Sequence, residues 1–170
     1  MRVLSALLYE LGFLSLFFII LPFQLSRFDQ YFPDIPLVPL RAVGAVLVIS
    51  GLVLSEYCLA LLIRRGHGIQ APFHHPTELV RIGPYRILRN PMSLGFLAML
   101  LGVALTFSSV ALFFYALLMA IVVHALIVLR EEPALRRRYR DAWDSYVLKV
   151  PRWLPRVPAL HAPISSINRG

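Results

Sequence analysis

Residues 92–129 read MSLGFLAMLLGVALTF, then SS, then VALFFYALLMAIVVHALIVL. The two apolar runs have 16 and 20 residues, contain no Asp, Glu, Lys or Arg, and are separated by Ser108 and Ser109 alone. Neither run alternates polar with apolar positions, as a half-buried strand or an amphipathic helix would. They predict a tight helical hairpin in a bilayer, where every backbone polar group must be satisfied within the segment. At the usual helical rise they would measure roughly 24 and 30 Å, against a hydrocarbon core about 30 Å thick. The first is short, and Arg89–Pro91 is expected to serve as its interfacial start.

Two more apolar blocks lie upstream. Val3–Phe23 is interrupted only by Glu10, and Leu37–Ile63 carries Arg41 near one end and Glu56 near the other. The expected fold is therefore all-α: an integral-membrane four-helix bundle with spans at about 3–23, 37–63, 92–107 and 110–129. Hydrophobic residues make up 58% of the chain and charged residues 15%, against roughly 25% charged in soluble domains. That balance excludes a disordered chain. The single cysteine, Cys58, excludes an internal disulfide and a cysteine-built zinc cluster. The first block opens like a signal peptide, but it is too long and Pro22-Phe23-Gln24 has no small-residue cleavage site. A retained helix is expected.

Charge orients the bundle. With four spans, the N-terminus, the 64–91 loop and everything after Leu129 share one side, which holds 15 of the 17 Lys and Arg residues. Only Arg27 and Arg41 lie on the other. The positive-inside rule then places both termini and the loop in the cytoplasm. The net charge of +8 follows from topology and attraction to anionic lipid, without a nucleic-acid partner.

The polar half of the chain falls into two segments. Loop 64–91 is punctuated by Gly66, Gly68, Pro72, Pro76, Gly83, Pro84 and Pro91. Beyond the fourth span, Leu135, Tyr139, Ala142, Trp143, Tyr146 and Val150 recur at helical spacing. This predicts an amphipathic helix over 133–150 lying on the membrane surface. Residues 1–155 form the expected membrane domain, and 156–170 a mobile tail.

Two strings carry chemistry. In Gly83-Pro84-Tyr85-Arg86-Ile87-Leu88-Arg89-Asn90-Pro91-Met92, Pro91 suits a first helical turn and Asn90 is a natural N-cap. The N–H groups of such a helix start can receive an anionic group. Arg130-Glu131-Glu132-Pro133 places two carboxylates beside a basic surface. Consecutive helical residues diverge, so one glutamate can face a pocket while the other pairs with Arg130 or Arg89. Pro133 should break or kink the helix. Glu10, Glu56 and His124 lie within spans, roughly 9–12 Å from the basic side. Such groups either line a cavity or satisfy one another in a polar cluster that holds the helices together. No histidine sits at a metal-ligand spacing from a carboxylate or Cys58, so no metal is expected.

The two strings together resemble the membrane-embedded isoprenylcysteine carboxyl methyltransferase and phospholipid N-methyltransferase family. The matching residues are Gly83-Pro84-Tyr85, Arg89-Asn90-Pro91-Met92, Arg130-Glu131-Glu132, Leu135, Tyr139, Tyr146 and Val150-Pro151-Arg152. The resemblance covers about residues 64–155. It implies S-adenosylmethionine as methyl donor and a lipid-like or prenylated acceptor. It further implies a donor site made by Gly83, Tyr85, Arg89, Asn90, Pro91, Gly95, Glu131 and Glu132. In that site Tyr85 packs on adenine, the glutamates meet the ammonium or ribose, and the start of the third span meets the carboxylate. Arg130 and Glu131 would act at the reacting centre, and Glu10, Glu56 and His124 would line the acceptor pocket. The chain departs from the family at Ser93, where tyrosine is usual, at Pro133, and at Arg140, where glycine often follows the aromatic residue. Two other readings stand beside the enzyme: a non-catalytic relative that binds lipids or a protein partner, and a small transporter subunit. Only the enzyme requires donor binding.

Overall fold

The computed structural model describes residues 11–32, 38–65 and 79–155. Glu10, the histidines at 67, 74, 75 and 161, most of the polar loop and the tail 156–170 lie outside the described residues. The described residues form five helices and no strand. They are α1 (Leu11–Tyr31), α2 (Arg41–Arg65), α3 (Pro91–Phe107), α4 (Val110–Tyr139) and α5 (Asp141–Lys149). Three of them, α1, α2 and α4, are long and apolar enough to cross a membrane. With 17 residues α3 falls short of that length, which leaves three full-length spanning helices and one shorter apolar helix.

Both helices that contain an internal proline run past it. The sequence places the end of α1 at Phe23, and the helix continues to Tyr31. It places a break or kink of α4 at Pro133, and that helix continues to Tyr139. Proline lacks an N–H, and its ring collides with the carbonyl four residues back. Those carbonyls belong to Phe18 and Leu129, and each falls inside a widened π turn, Leu16–Ile20 or Ile127–Glu131. The wide turn makes room for the ring and lets helix resume beyond it.

α2 and α3 lie antiparallel with almost no side chain between them. A Cβ on Gly51 would fall 2.5 Å from the Gly95 carbonyl oxygen, and one on Gly102 would fall 2.6 Å from that of Gly44. Only glycine permits this approach, and close backbone contact is how helices associate where lipid is as apolar as leucine. α1 packs through Phe13, Phe17 and Phe18 around Phe96 of α3, with ring centroids 5.5, 5.9 and 5.3 Å away. The α3–α4 hairpin turns at Ser108, whose φ of 53° closes α3 in the left-handed region. Ser109 caps α4 by accepting the Leu112 N–H at 3.0 Å. Asp29 of α1 takes the Ala111 N–H at 2.9 Å, so the start of α4 is closed.

The predicted helix over 133–150 is two pieces. Residues Glu132–Tyr139 complete α4, and α5 starts after Arg140, which sits at φ 43°, ψ −121°. That backbone state suits glycine and strains any side chain. The change of direction redirects the apolar stripe. Trp143, Tyr146 and Val150 are buried together against Leu79, Leu135 and Tyr139. The stripe therefore packs on Leu79 of the loop and on the end of α4.

Candidate functional site

The end of the bundle where α2 finishes and α3 begins holds the family-like strings. Gly83 opens a tight turn over Gly83–Arg86 with φ +56°, and a Cβ there would lie 2.9 Å from Leu61. The turn drives Tyr85 inward. Its ring is buried with Cys58 and Val80, and its hydroxyl is in hydrogen-bonding contact with the Cys58 thiol. Its carbonyl oxygen accepts the Tyr146 hydroxyl at 2.6 Å. Burial pushes the Tyr85 phenol up, with Cys58 adding to the effect, and burial raises that of Tyr146 to about 12. Tyr85 thus joins the loop, α2 and α5.

Asn90 occupies the N-cap position of α3, but its side chain makes no capping hydrogen bond. Its carbonyl oxygen accepts the Leu94 N–H at 3.1 Å. Its side-chain amide nitrogen is buried and has no hydrogen-bond partner among the described residues. A buried amide donor without an acceptor is costly, by about 1–3 kcal/mol. Here it stands beside the first turn of a helix whose N–H groups take no cap from the Asn90 side chain. The local arrangement is a cluster of donors, favourable for an anionic group by hydrogen bonding and by the helix dipole.

The two glutamates diverge. Glu132 is enclosed by two arginines. Arg89 Nη1 donates to its Oε1 at 2.9 Å, and Arg152 donates to Oε1 and Oε2 at 2.8 and 2.7 Å. The side chains of Arg89 and Glu132 are 10% and 15% exposed. The Arg89 N–H also donates to the Pro151 carbonyl oxygen at 2.9 Å. One further residue along, Trp153 Nε1 donates to His124 Nδ1 at 3.0 Å. Residues 151–153 therefore form a strap that ties the α3 start to two levels of α4. Glu131, at the end of the π turn, remains exposed, as does Arg130.

The remaining candidates are spread out. Pro91 is buried at the helix start. Gly95 is buried and faces Gly51 and Ser55 of α2, away from the donor cluster. Glu56 is exposed on α2. His124 is an acceptor for Trp153, and Glu10 lies outside the described residues. Among the described residues no three His, Cys, Asp or Glu side chains gather as a metal site. Sequence reasoning assigned no role to Arg152 or Trp153, although Val150-Pro151-Arg152 was already a recognisable motif. It also did not use the spacing of seven shared by Gly44–Gly51 and Gly95–Gly102.

The phospholipid methyltransferase family matches residues 40–142, a stretch that contains α2, the Gly83 turn, α3 and α4. No curated protein and no solved structure gives a significant match. Members of the matched family use S-adenosylmethionine as methyl donor. The match spans more than half of the chain, and so the chain belongs to the phospholipid methyltransferase family of S-adenosylmethionine-dependent membrane enzymes.

Proposed function

We propose that the protein transfers a methyl group from S-adenosylmethionine to a lipid-like acceptor, a phospholipid amine or a prenylcysteine carboxylate, at the cytoplasmic membrane face. The observation that carries the reading is the buried, unpartnered amide of Asn90 beside the uncapped start of α3. In this reading Asn90 and the N–H groups of Met92 and Ser93 bind the donor's carboxylate, and Glu131 binds its ammonium. Arg89, Glu132 and Arg152 are positioning residues: their pairing holds the α3 start against α4. Gly83 and Tyr85 set the loop beneath them. The cytoplasmic assignment rests on the 15-to-2 division of basic residues.

When bound, S-adenosylmethionine supplies a sulfonium-activated methyl group for in-line displacement. The protein's task is alignment, an effect worth about 7–11 kcal/mol in well-oriented systems. An amine acceptor attacks in its neutral form and must lose a proton, whereas a carboxylate needs no base. The exposed apolar faces of α2 and α4 suit an acceptor that arrives from the bilayer.

Calorimetry of S-adenosylmethionine and S-adenosylhomocysteine on detergent-purified protein tests the donor site. Micromolar binding that disappears in Asn90→Ala and Glu131→Ala supports it. Folded protein that binds neither ligand, or variants that bind like wild type, would refute it. Radiolabelled methyl transfer into defined phosphatidylethanolamine vesicles or a prenylcysteine substrate then separates the acceptors.

A further inference from the structure

The Gly51–Gly95 and Gly44–Gly102 contacts set the α2–α3 register, and that register defines a second end. Arg41, at the start of α2, lies with Phe107, at the end of α3, one α3 length from Pro91 and the donor cluster. At that end a furrow of about 270 Å³ runs between the two helices, lined by Ala45, Val48, Ile49, Val103, Thr106 and Phe107. The Thr106 hydroxyl donates to the Gly102 carbonyl oxygen at 2.8 Å, so the lining's one polar side chain is already satisfied. The furrow offers hydrocarbon.

Arg41 stands at its mouth. It precedes Ala45 by four residues and Ile49 by eight, which places all three on one helix face. Its Nε donates to Ser108 Oγ at 3.2 Å, and Ser108 follows Phe107 of the lining. This bond anchors the guanidinium beside the furrow. The residue is exposed, and the guanidinium makes no ion pair among the described residues. The carboxylate of Asp29 accepts the Ala111 N–H and forms no ion pair with Arg41 among the described residues.

We infer that this end of the molecule binds an anionic phospholipid, with its phosphate on Arg41 and one acyl chain in the α2–α3 furrow. A guanidinium fork matches phosphate oxygens two at a time, and an apolar furrow in a spanning segment takes hydrocarbon without desolvating a polar group. The positive charge, unpaired among the described residues, identifies the occupant. A zwitterionic headgroup brings its own cation beside the phosphate, and an anionic one does not. The site is separate from the donor cluster and does not depend on catalysis.

Native mass spectrometry of the detergent-purified full chain, titrated with phosphatidylglycerol or phosphatidylcholine, tests the inference. One phosphatidylglycerol should bind in preference to phosphatidylcholine. Its affinity should fall about tenfold or more in Arg41→Gln, the loss expected for a charge-assisted contact. Ile49→Trp, at an exposed lining position, should also displace it, and Arg27→Gln should not. Thermal melts confirm that each variant is folded. Equal binding of the two lipids, or wild-type binding by Arg41→Gln, would overturn the headgroup assignment. Wild-type binding by Ile49→Trp would overturn the furrow as the seat of the chain.

Discussion

Arg152 grips Glu132 with two hydrogen bonds, 2.8 and 2.7 Å long, and so makes one of the two glutamates structural. Removing Glu132 would leave Arg89, 10% exposed, and the more exposed Arg152 without their shared carboxylate. Breaking a fully buried pair from one side costs about 3–5 kcal/mol, and this cluster is partly solvated, so Glu132→Ala should lower Tm by a fraction of that and reduce donor binding only as the fold is lost. Glu131→Ala should do the reverse. At an exposed position its stability change should stay within about 0.5 kcal/mol, while donor binding disappears. Paired thermal melts and calorimetry separate the two effects, and equal destabilisation by both variants would contradict the division of roles.

Arg140 holds a backbone conformation, φ 43° and ψ −121°, that only glycine adopts without strain. Such strain costs of order 1–3 kcal/mol. Arg140→Gly should therefore stabilise the protein by about 1 kcal/mol, after allowing for the greater freedom glycine has in the unfolded chain. Arg140→Ala should give no such gain. Denaturation in one detergent checks the pair, and an alanine variant as stable as the glycine variant would show that backbone strain is not the cause.

The apolar blocks made the helices legible, because a run such as residues 110–129 permits only one backbone solution in lipid. The motif strings likewise pointed to the end of the bundle where Asn90, Glu131 and Glu132 lie. Three features were hidden for physical reasons. Pro22 and Pro133 look like helix stops unless the preceding turn widens, and no side-chain pattern announces a π turn. The stripe at Trp143, Tyr146 and Val150 has the same periodicity whether it faces lipid or the protein's own loop. Arg140 alone hinted at the break, by standing where glycine is common. The Arg89 half of the Glu132 clamp was legible, since the sequence lets one glutamate meet Arg130 or Arg89. Its second partner, Arg152, was hidden because it lies 20 residues away, beyond a helix whose direction the break at Arg140 determines.

Gly95 packs directly against the α2 backbone. A Cβ there would meet Ser55 Oγ at 2.5 Å and the Gly51 carbonyl oxygen at 2.7 Å. Gly95→Ala should force α2 and α3 apart and cost about 1–3 kcal/mol, the usual range for overpacking. Gly12→Ala is the matched control, since nothing lies within 4 Å of a Cβ at that position. The measurement is Tm for both variants, with donor affinity on whatever Gly95→Ala protein remains folded. Unchanged stability with lost affinity would return Gly95 to the donor site.

Tyr146 links stability to high pH. Its phenol is raised from 10.0 to about 12 by burial, against the opposing pull of Arg89 and Arg81. A group whose folded pKa lies above its unfolded value contributes fully below the unfolded pKa and loses that contribution as pH rises through the folded one. Stability should therefore fall between pH 10 and 12, where the unfolded chain ionises first. Tyr146→Phe removes the hydrogen bond to the Tyr85 carbonyl oxygen and should be less stable at pH 8, with a shallower decline across the same window. Parallel slopes for the two proteins would remove Tyr146 as the titrating group. Tyr85 is shifted in the same direction and contributes to the slope that remains.

Asn90→Asp offers the sharpest division between cap and binding site. Aspartate is at least as good an N-cap as asparagine, and its charge is favourable at a helix start by about 0.3–1 kcal/mol. It also replaces a buried amide nitrogen that has no partner with an acceptor for the free N–H groups of α3. On structural grounds alone the variant should be as stable as wild type or more so. The donor's carboxylate, however, would meet a like charge where it now meets a hydrogen-bond donor. Affinity for S-adenosylmethionine should fall tenfold or more, about 1.4 kcal/mol, while Tm holds or rises. A more stable protein that binds the donor normally would move the carboxylate site away from Asn90. A less stable protein would show that the Asn90 amide makes a stabilising contact within the fold.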